Sequence, residues 1–144
     1  MALLEAGAPR IYIVNRTLAR AEALCANIGD QARAFSQDRA REAMTGANGV
    51  INATVLVEGD GDGPASSLDA LAATAVVMDM TYSPVRTRLL DRAAAKGLTT
   101  VDGLAMLIGQ AVPSFRALYG SPPPAIDVRA LALEALDAGK FGAP

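Results

Sequence analysis

The stretch IYIVNRT, Ile11–Thr17, decides the fold. Ile11–Val14 is a short apolar run with β-branched residues, and it reads as a buried strand. It ends in Asn15, a cation at Arg16, and Thr17, a residue type that caps helices. Behind it Leu18, Ala21, Leu24, Cys25 and Ile28 recur at helical spacing until Gly29. A buried strand leading through polar residues into a helix is how the second strand of a dinucleotide-binding unit reads. Ten residues precede Ile11, and Met1–Ala6 reads as the last turns of a helix stopped by Gly7 and Pro9. The expectation is therefore most of a cofactor domain, without the opening strand and its glycine loop.

Working outward, the alternation continues. Ala32–Phe35 reads as a short strand, Ser36 as the cap of a helix over Gln37–Met44, and Gly49–Ala53 as a strand. Glu58–Pro64, EGDGDGP, is a turn, and Leu68–Leu71 is one helical turn. Ala75–Met80 is the next strand, followed by a helix at Arg86–Lys96 with Leu89, Leu90 and Ala93 on one face. Leu98–Val101 is a strand, Gly103–Tyr119 a long helix containing Pro113, and Ile126–Ala138 a final helix after the rigid spacer Ser121–Pro124. Strands and helices in this order predict an α/β fold, a Rossmann-like parallel sheet with helices on both faces that lacks its first strand. One domain is expected over the 144 residues, with the last helix part of it.

Composition narrows the function classes. Hydrophobic residues make up 51% and aromatics 4%, so the core must be built from Ala, Leu, Val and Ile, which suits helices over a sheet. Net charge is −2, which gives no reason to expect a nucleic-acid surface. There is no histidine and one cysteine, so a histidine base, a thiolate metal cluster and a disulfide framework are excluded within the chain. Cys25 reads as helix packing. Asp60 and Asp62 alternate with glycines but lack the remaining ligands of a calcium loop. No apolar run reaches membrane-spanning length, MALLEAG is not a signal peptide, and a cytoplasmic protein is expected.

In open parallel sheets ligands sit beyond the carboxyl ends of the strands. Three such ends are polar here. At the first, a carboxylate would favour NAD by accepting ribose hydroxyls, but Asn15 and Arg16 stand there instead. The Arg16 guanidinium suits a phosphate, and Thr17 adds a hydroxyl at a helix N-terminus. That combination points to NADP; the competing reading makes Arg16 a solvated surface residue and Thr17 only a cap. Asn52 and Thr54 at the second end either meet a ribose or nicotinamide edge or satisfy local backbone groups. At the third, Asp79 is either an acid or base or a carboxylate accepting loop N–H groups; nothing in the sequence pairs with it, which favours the second. Tyr82 either contacts substrate or wedges the turn shaped by Pro84. Gly103 permits close backbone approach to a flat ring. Gln110 offers an amide to a hydroxylated ligand, or is simply a partly exposed polar position, and Met106 and Leu107 read as packing, with a cofactor contact as the alternative for Met106.

The quoted motifs resemble one family. NRT at Asn15–Thr17, VINAT at Val50–Thr54, DMTYSPVRTRLL at Asp79–Leu90 and VDGLAMLIGQAVPSF at Val101–Phe115 are similar, in order, to the C-terminal NADP-binding domain of shikimate dehydrogenases. The resemblance implies that Asn15, Arg16 and Thr17 hold the adenosine 2′-phosphate of NADP. It implies that Asn52, Ala53 and Thr54 line the cofactor path, that Met80 and Gly103 lie near the nicotinamide, and that Tyr82 and Gln110 contact a shikimate-like ligand. The implied parent reaction is NADP-dependent reduction of 3-dehydroshikimate to shikimate. The family's catalytic lysine–aspartate pair belongs to a separate substrate domain that this sequence does not show, so no catalytic residue is assigned and little activity is expected of the chain alone. The sequence departs from the family at Val55-Leu56-Val57-Glu58, Thr81 and Ser83. The alternatives are a non-catalytic nucleotide-binding remnant or partner-dependent module, and a quinate or related hydroxy-acid dehydrogenase. A separate substrate domain or a homo-oligomer is the implied partner, with no nucleic acid and no membrane.

Overall fold

The computed structural model describes residues 2–54 and 63–138. The predicted calls on Val55–Val57, Asp60 and Asp62, and most of the Glu58–Pro64 turn, lie outside the described residues. The chain divides into two compact units, one of residues 1–48 and 66–72, the other of residues 49–65 and 73–144.

The first unit begins with a short helix, α1 (Ala2–Glu5), and Gly7 turns the chain with φ 93°. Strand β1 (Ile11–Asn15) pairs in parallel with β2 (Ala32–Ser36), Val14 beside Phe35 and Asn15 beside Ser36. Helix α2 (Leu18–Ile28) connects them, as parallel pairing requires. Ala21 is fully buried, while Leu18 and Leu24 are exposed. Phe35 is the buried ring of this sheet: Tyr12 meets it edge-on at 5.2 Å, and the Arg39 guanidinium lies 5.3 Å from its centroid. The predicted helix over Gln37–Met44 is a 3₁₀ turn, Gln37–Arg39, running into α3 (Ala40–Met44). Ser36 makes no side-chain capping bond there. The predicted turn at Leu68–Leu71 falls at the end of a 3₁₀ segment, Gly63–Ala70, held by Gly46 N–H on the Ala70 carbonyl and by Arg41 on Asp69 at 2.8 Å.

The second unit contains a parallel ladder of β3 (Gly49–Asn52), β4 (Val76–Asp79) and β5 (Thr99–Val101), in that order. The register places Val50 beside Val77 and Asn52 beside Asp79. Val77 and Asp79, on one face, are buried; Ile51 and Val76, on the other, are exposed. Helix α4 (Arg88–Ala95) packs on β4 and β5 through Leu89, Leu90 and Ala93, all buried, and Gly97 ends its turn at φ 74°. Helix α5 (Gly103–Tyr119) runs through Pro113, and the Ser114 hydroxyl donates to the Gln110 carbonyl at 2.9 Å. Gly120 closes it in the left-handed region at φ 66°. The last helix, α6 (Val128–Asp137), is tied to the start of α5 by Arg129, which donates two hydrogen bonds to Asp102 at 2.6 and 3.1 Å.

The α/β class and parallel pairing follow the sequence reading. The hydrogen bonding is finer than that reading: two parallel ladders, not one continuous sheet, are formed among the described residues. Their pairings are those of strands 3-2 and 4-5-6 in the doubly wound order. No helix among the described residues is long and apolar enough to cross a membrane.

Candidate functional site

In the first unit the candidate residues sit where β1 hands over to α2. Asn15 bends its side chain forward, and its Oδ1 accepts the Thr17 N–H at 2.9 Å. This local bond turns the chain into the helix. Thr17 occupies the N-cap position with extended backbone, as predicted, but its hydroxyl makes no capping bond. Helices α4, α5 and α6 are all capped by side chains, Thr87 on Leu90 N–H, Asp102 on Ala105 N–H and Asp127 on Ala130 N–H. The α2 start also has no acidic residue in its first turn. Instead Arg16 precedes it and Arg20 lies within it, with the Arg20 N–H on the Thr17 carbonyl at 3.0 Å. Two cations beside a positive helix end oppose the macrodipole, an arrangement that suits an anion. Arg20 is the residue that sequence reading passed over. Its signal was present as the fourth position after an arginine at the mouth of a predicted helix.

In the second unit three strand ends converge. Met80 N–H donates to the Asn52 carbonyl at 2.9 Å, joining the ends of β4 and β3. Gly103 is buried against the turn after β4: a Cβ there would fall inside contact distance of the Met80 carbonyl oxygen and 2.5 Å from that of Thr81. The sequence reading reserved this glycine for a flat ring. The structure supplies another requirement, close passage of the protein's own backbone.

Asn52 and Asp79 are almost completely buried, at 3% and 1% exposure, and their partners account for it. Asn52 Nδ2 donates to Asp79 Oδ1 at 3.2 Å and to the Thr54 carbonyl at 3.3 Å. Asn52 Oδ1 accepts the Thr54 N–H at 3.2 Å and the Thr54 hydroxyl at 2.7 Å. Asp79 Oδ1 also accepts the Thr81 N–H at 3.1 Å, and Oδ2 accepts the Thr87 hydroxyl at 2.8 Å. No buried side-chain polar atom among the described residues lacks a partner. The Asn52 amide is thus filled at all four positions. What this corner presents outward is Ala53 and Thr54, both exposed, the exposed Met80, and Tyr82, 47% exposed beside the cis Ser83–Pro84 bond. Gln110 is exposed on α5.

A cavity of about 360 Å³ lies elsewhere in this unit, among Arg86, Asp91, Asp102 and Arg129. Its charges pair with one another, Arg86 with Asp91 and Arg129 with Asp102, and none of the predicted ligand residues lines it. The Arg129 hydrogen bonds, aided by the Ala105 N–H, hold the Asp102 carboxyl below the usual carboxylate range against the opposing effect of burial. Cys25 is half-buried, and burial, then the Glu22 carboxylate, push its thiol up, away from a reactive thiolate. Among the described residues no group of histidine, cysteine and carboxylate side chains is arranged to hold a metal.

No family model matches the chain. It is 52% identical over 136 residues to the shikimate dehydrogenase (NADP(+)) of Caulobacter vibrioides, covering 94% of this chain and 48% of that protein. Among solved structures it is similar to the quinate dehydrogenase of Corynebacterium glutamicum in complex with NAD, with a TM-score of 0.76, 30% identity, and coverage of 92% of this chain and 49% of the other. It is also similar to the shikimate 5-dehydrogenase of Thermus thermophilus in complex with NADP(H) and shikimate, with a TM-score of 0.66, 34% identity, and coverage of 85% and 44%. The chain spans about half the length of the curated relatives it matches.

Proposed function

From a chain that matches the C-terminal half of shikimate dehydrogenase family proteins, we propose a cofactor-binding half of an NADP-dependent enzyme that interconverts 3-dehydroshikimate and shikimate. The observation that carries the reading is the start of α2: no side-chain cap, no acidic residue in the first turn, and arginines at positions 16 and 20. That donor set fits the 2′-phosphate that distinguishes NADP from NAD. Asn15 shapes the turn, Arg16 and Arg20 supply charge, and Thr17 supplies a hydroxyl and a helix end. In the second unit, Ala53, Thr54, Met80 and the Gly103 backbone would meet the nicotinamide end, with Asn52 holding the Thr54 turn from within. Tyr82 and Gln110 would give one side of the substrate its hydroxyl and amide contacts.

The nicotinamide supplies reversible hydride exchange with the substrate carbonyl when bound; the residues above bind and orient, and none is assigned a proton. Asp79, the one buried carboxylate among the described residues, has both oxygens engaged internally. Proton transfer is left to the lysine–aspartate pair of a substrate-binding domain, and the 144-residue chain by itself should turn over little shikimate. The partner would be that domain or a second copy, in the cytoplasm, with neither nucleic acid nor membrane involved.

Calorimetric titration of the chain with NADP and with NAD tests this. NADP should bind more tightly, and Arg16→Ala should raise the NADP Kd by about tenfold or more, the loss of one charge-assisted pair, while changing NAD little. Equal affinity for the two cofactors, or a folded sample that binds neither, overturns the reading. The second reading, a quinate-type hydroxy-acid dehydrogenase, draws on the similarity to the quinate dehydrogenase in complex with NAD. A preference for NAD in the same titration would favour it.

A further inference from the structure

Asp79 lies at the meeting point of three segments, and its carboxylate is an acceptor for all of them. Through Oδ1 it takes the Asn52 amide and the Thr81 N–H; through Oδ2 it takes the Thr87 hydroxyl. Each bond has a consequence one step further out. Because Asn52 must turn Nδ2 toward an acceptor-only group, its carbonyl oxygen is directed at Thr54, where it takes both the N–H and the hydroxyl. Because Thr87 gives its proton to Asp79, its oxygen keeps a lone pair for the Leu90 N–H, the cap of α4. And because Thr81 is held by its N–H, its carbonyl, with that of Met80, lies along Gly103. The orientation of one amide is thereby propagated to the Thr54 turn, the Met80–Thr81 turn and the start of α4.

We infer that Asp79 is a positioning residue for the nicotinamide end of the bound cofactor, acting through Asn52 and Thr81 without touching the ligand. The inference rests on the cofactor reading above and adds a residue whose role is orientation of the ligand-facing backbone. Its chemistry is specific. A carboxylate can accept on both sides, whereas an amide at this position has one acceptor oxygen for three donors. Asp79→Ala removes the acceptor from all three donors, whereas Asp79→Asn can keep its oxygen on Asn52 and Thr81 and lose only the Thr87 bond.

The experiment compares two probes on the 144-residue chain: NADP, and adenosine 2′,5′-bisphosphate, which carries the adenosine 2′-phosphate and lacks nicotinamide. In Asp79→Ala the NADP Kd should rise about tenfold, the effect of lost buried bonds to a charged group, while the bisphosphate Kd stays within about twofold, and Asp79→Asn should have a smaller effect on NADP. Thr87→Val should act in the same direction with a smaller effect, and Thr87→Ser should restore wild-type binding. The side-chain NH₂ signals of Asn52 in the nuclear magnetic resonance spectrum should move in Asp79→Ala. Equal weakening of both probes, or unchanged NADP binding by a folded Asp79→Ala protein, overturns the inference. Wild-type protein that binds neither probe overturns the cofactor reading instead; Asp79 is then judged by the Asn52 signals, and signals unmoved by Asp79→Ala overturn its positioning role too.

Discussion

The end of β1 and the ends of β3 and β4 occupy the same kind of place, the carboxyl end of a parallel strand, and use their polar residues in opposite ways. Arg16 and Thr17 are exposed, and the helix they introduce begins without a side-chain cap. Asn52 and Asp79 are buried, and their hydrogen-bonding capacity is directed at neighbouring protein. The first region leaves its charged and hydroxyl side chains at the surface. The second holds backbone in place and offers that backbone. A polar residue at a strand end is therefore not by itself a ligand contact; burial and partners decide which of the two roles it has.

The contrast can be broken or sharpened by substitution. The largest effect should come from Gly103→Ala, since the added Cβ meets two backbone carbonyls that cannot rotate away. A loss of about 3 kcal/mol is expected, read as a lower denaturation midpoint with unchanged slope; a midpoint within error of wild type would show that the turn yields. Asn52→Ala should cost about 2 kcal/mol by taking a partner from the buried Asp79 carboxylate and the acceptor that holds the Thr54 turn. The equivalent change at the exposed end, Asn15→Ala, removes a single local bond and should cost about 0.7 kcal/mol in the same assay. Equal losses at 15 and 52 would erase the distinction between an outward and an inward strand end.

The smallest effect concerns Asp102 and Arg129, a pair partly open to solvent. Arg129→Met should cost about 0.5 kcal/mol near neutrality. The Asp102 carboxyl is lowered in the folded protein, first by the Arg129 hydrogen bonds, so its contribution is complete above its ordinary unfolded value and is lost as pH falls through the lower folded value. The stability gap between wild type and Arg129→Met should therefore hold steady from pH 7 to about pH 5 and close below about pH 4. A gap that widens on acidification would contradict the direction of the shift.

Much of this was legible in the residues. Apolar runs and helical spacing located β1, α2, β4, α4 and α5 to within a residue or two, because strand and helix periods are local properties. The Asn15–Thr17 corner was legible for the same reason: residue types and order suffice where strand, turn and helix start are contiguous. Asp79 was readable as a structural carboxylate, but its partners were not, since Asn52 is 27 residues away and reaches it only through the β3–β4 register. Gly103 was legible as a point of close backbone approach, but the Met80 and Thr81 carbonyls that lie against it were not. Arg20 was overlooked because a cation within a helix ordinarily reads as solvated surface.

By itself the sequence determined the order of strands and helices, the parallel α/β class and the polar residues at each strand end, all consequences of spacing and side-chain type along neighbouring positions. Only the tertiary structure decided that the strands hydrogen-bond as two ladders, that Asn52 and Asp79 turn inward while Arg16 and Thr17 stay exposed, and that α2 begins uncapped. Those outcomes depend on which distant groups come within about 3 Å of each other, and hydrogen bonds weaken too steeply with distance and angle for linear spacing to specify them.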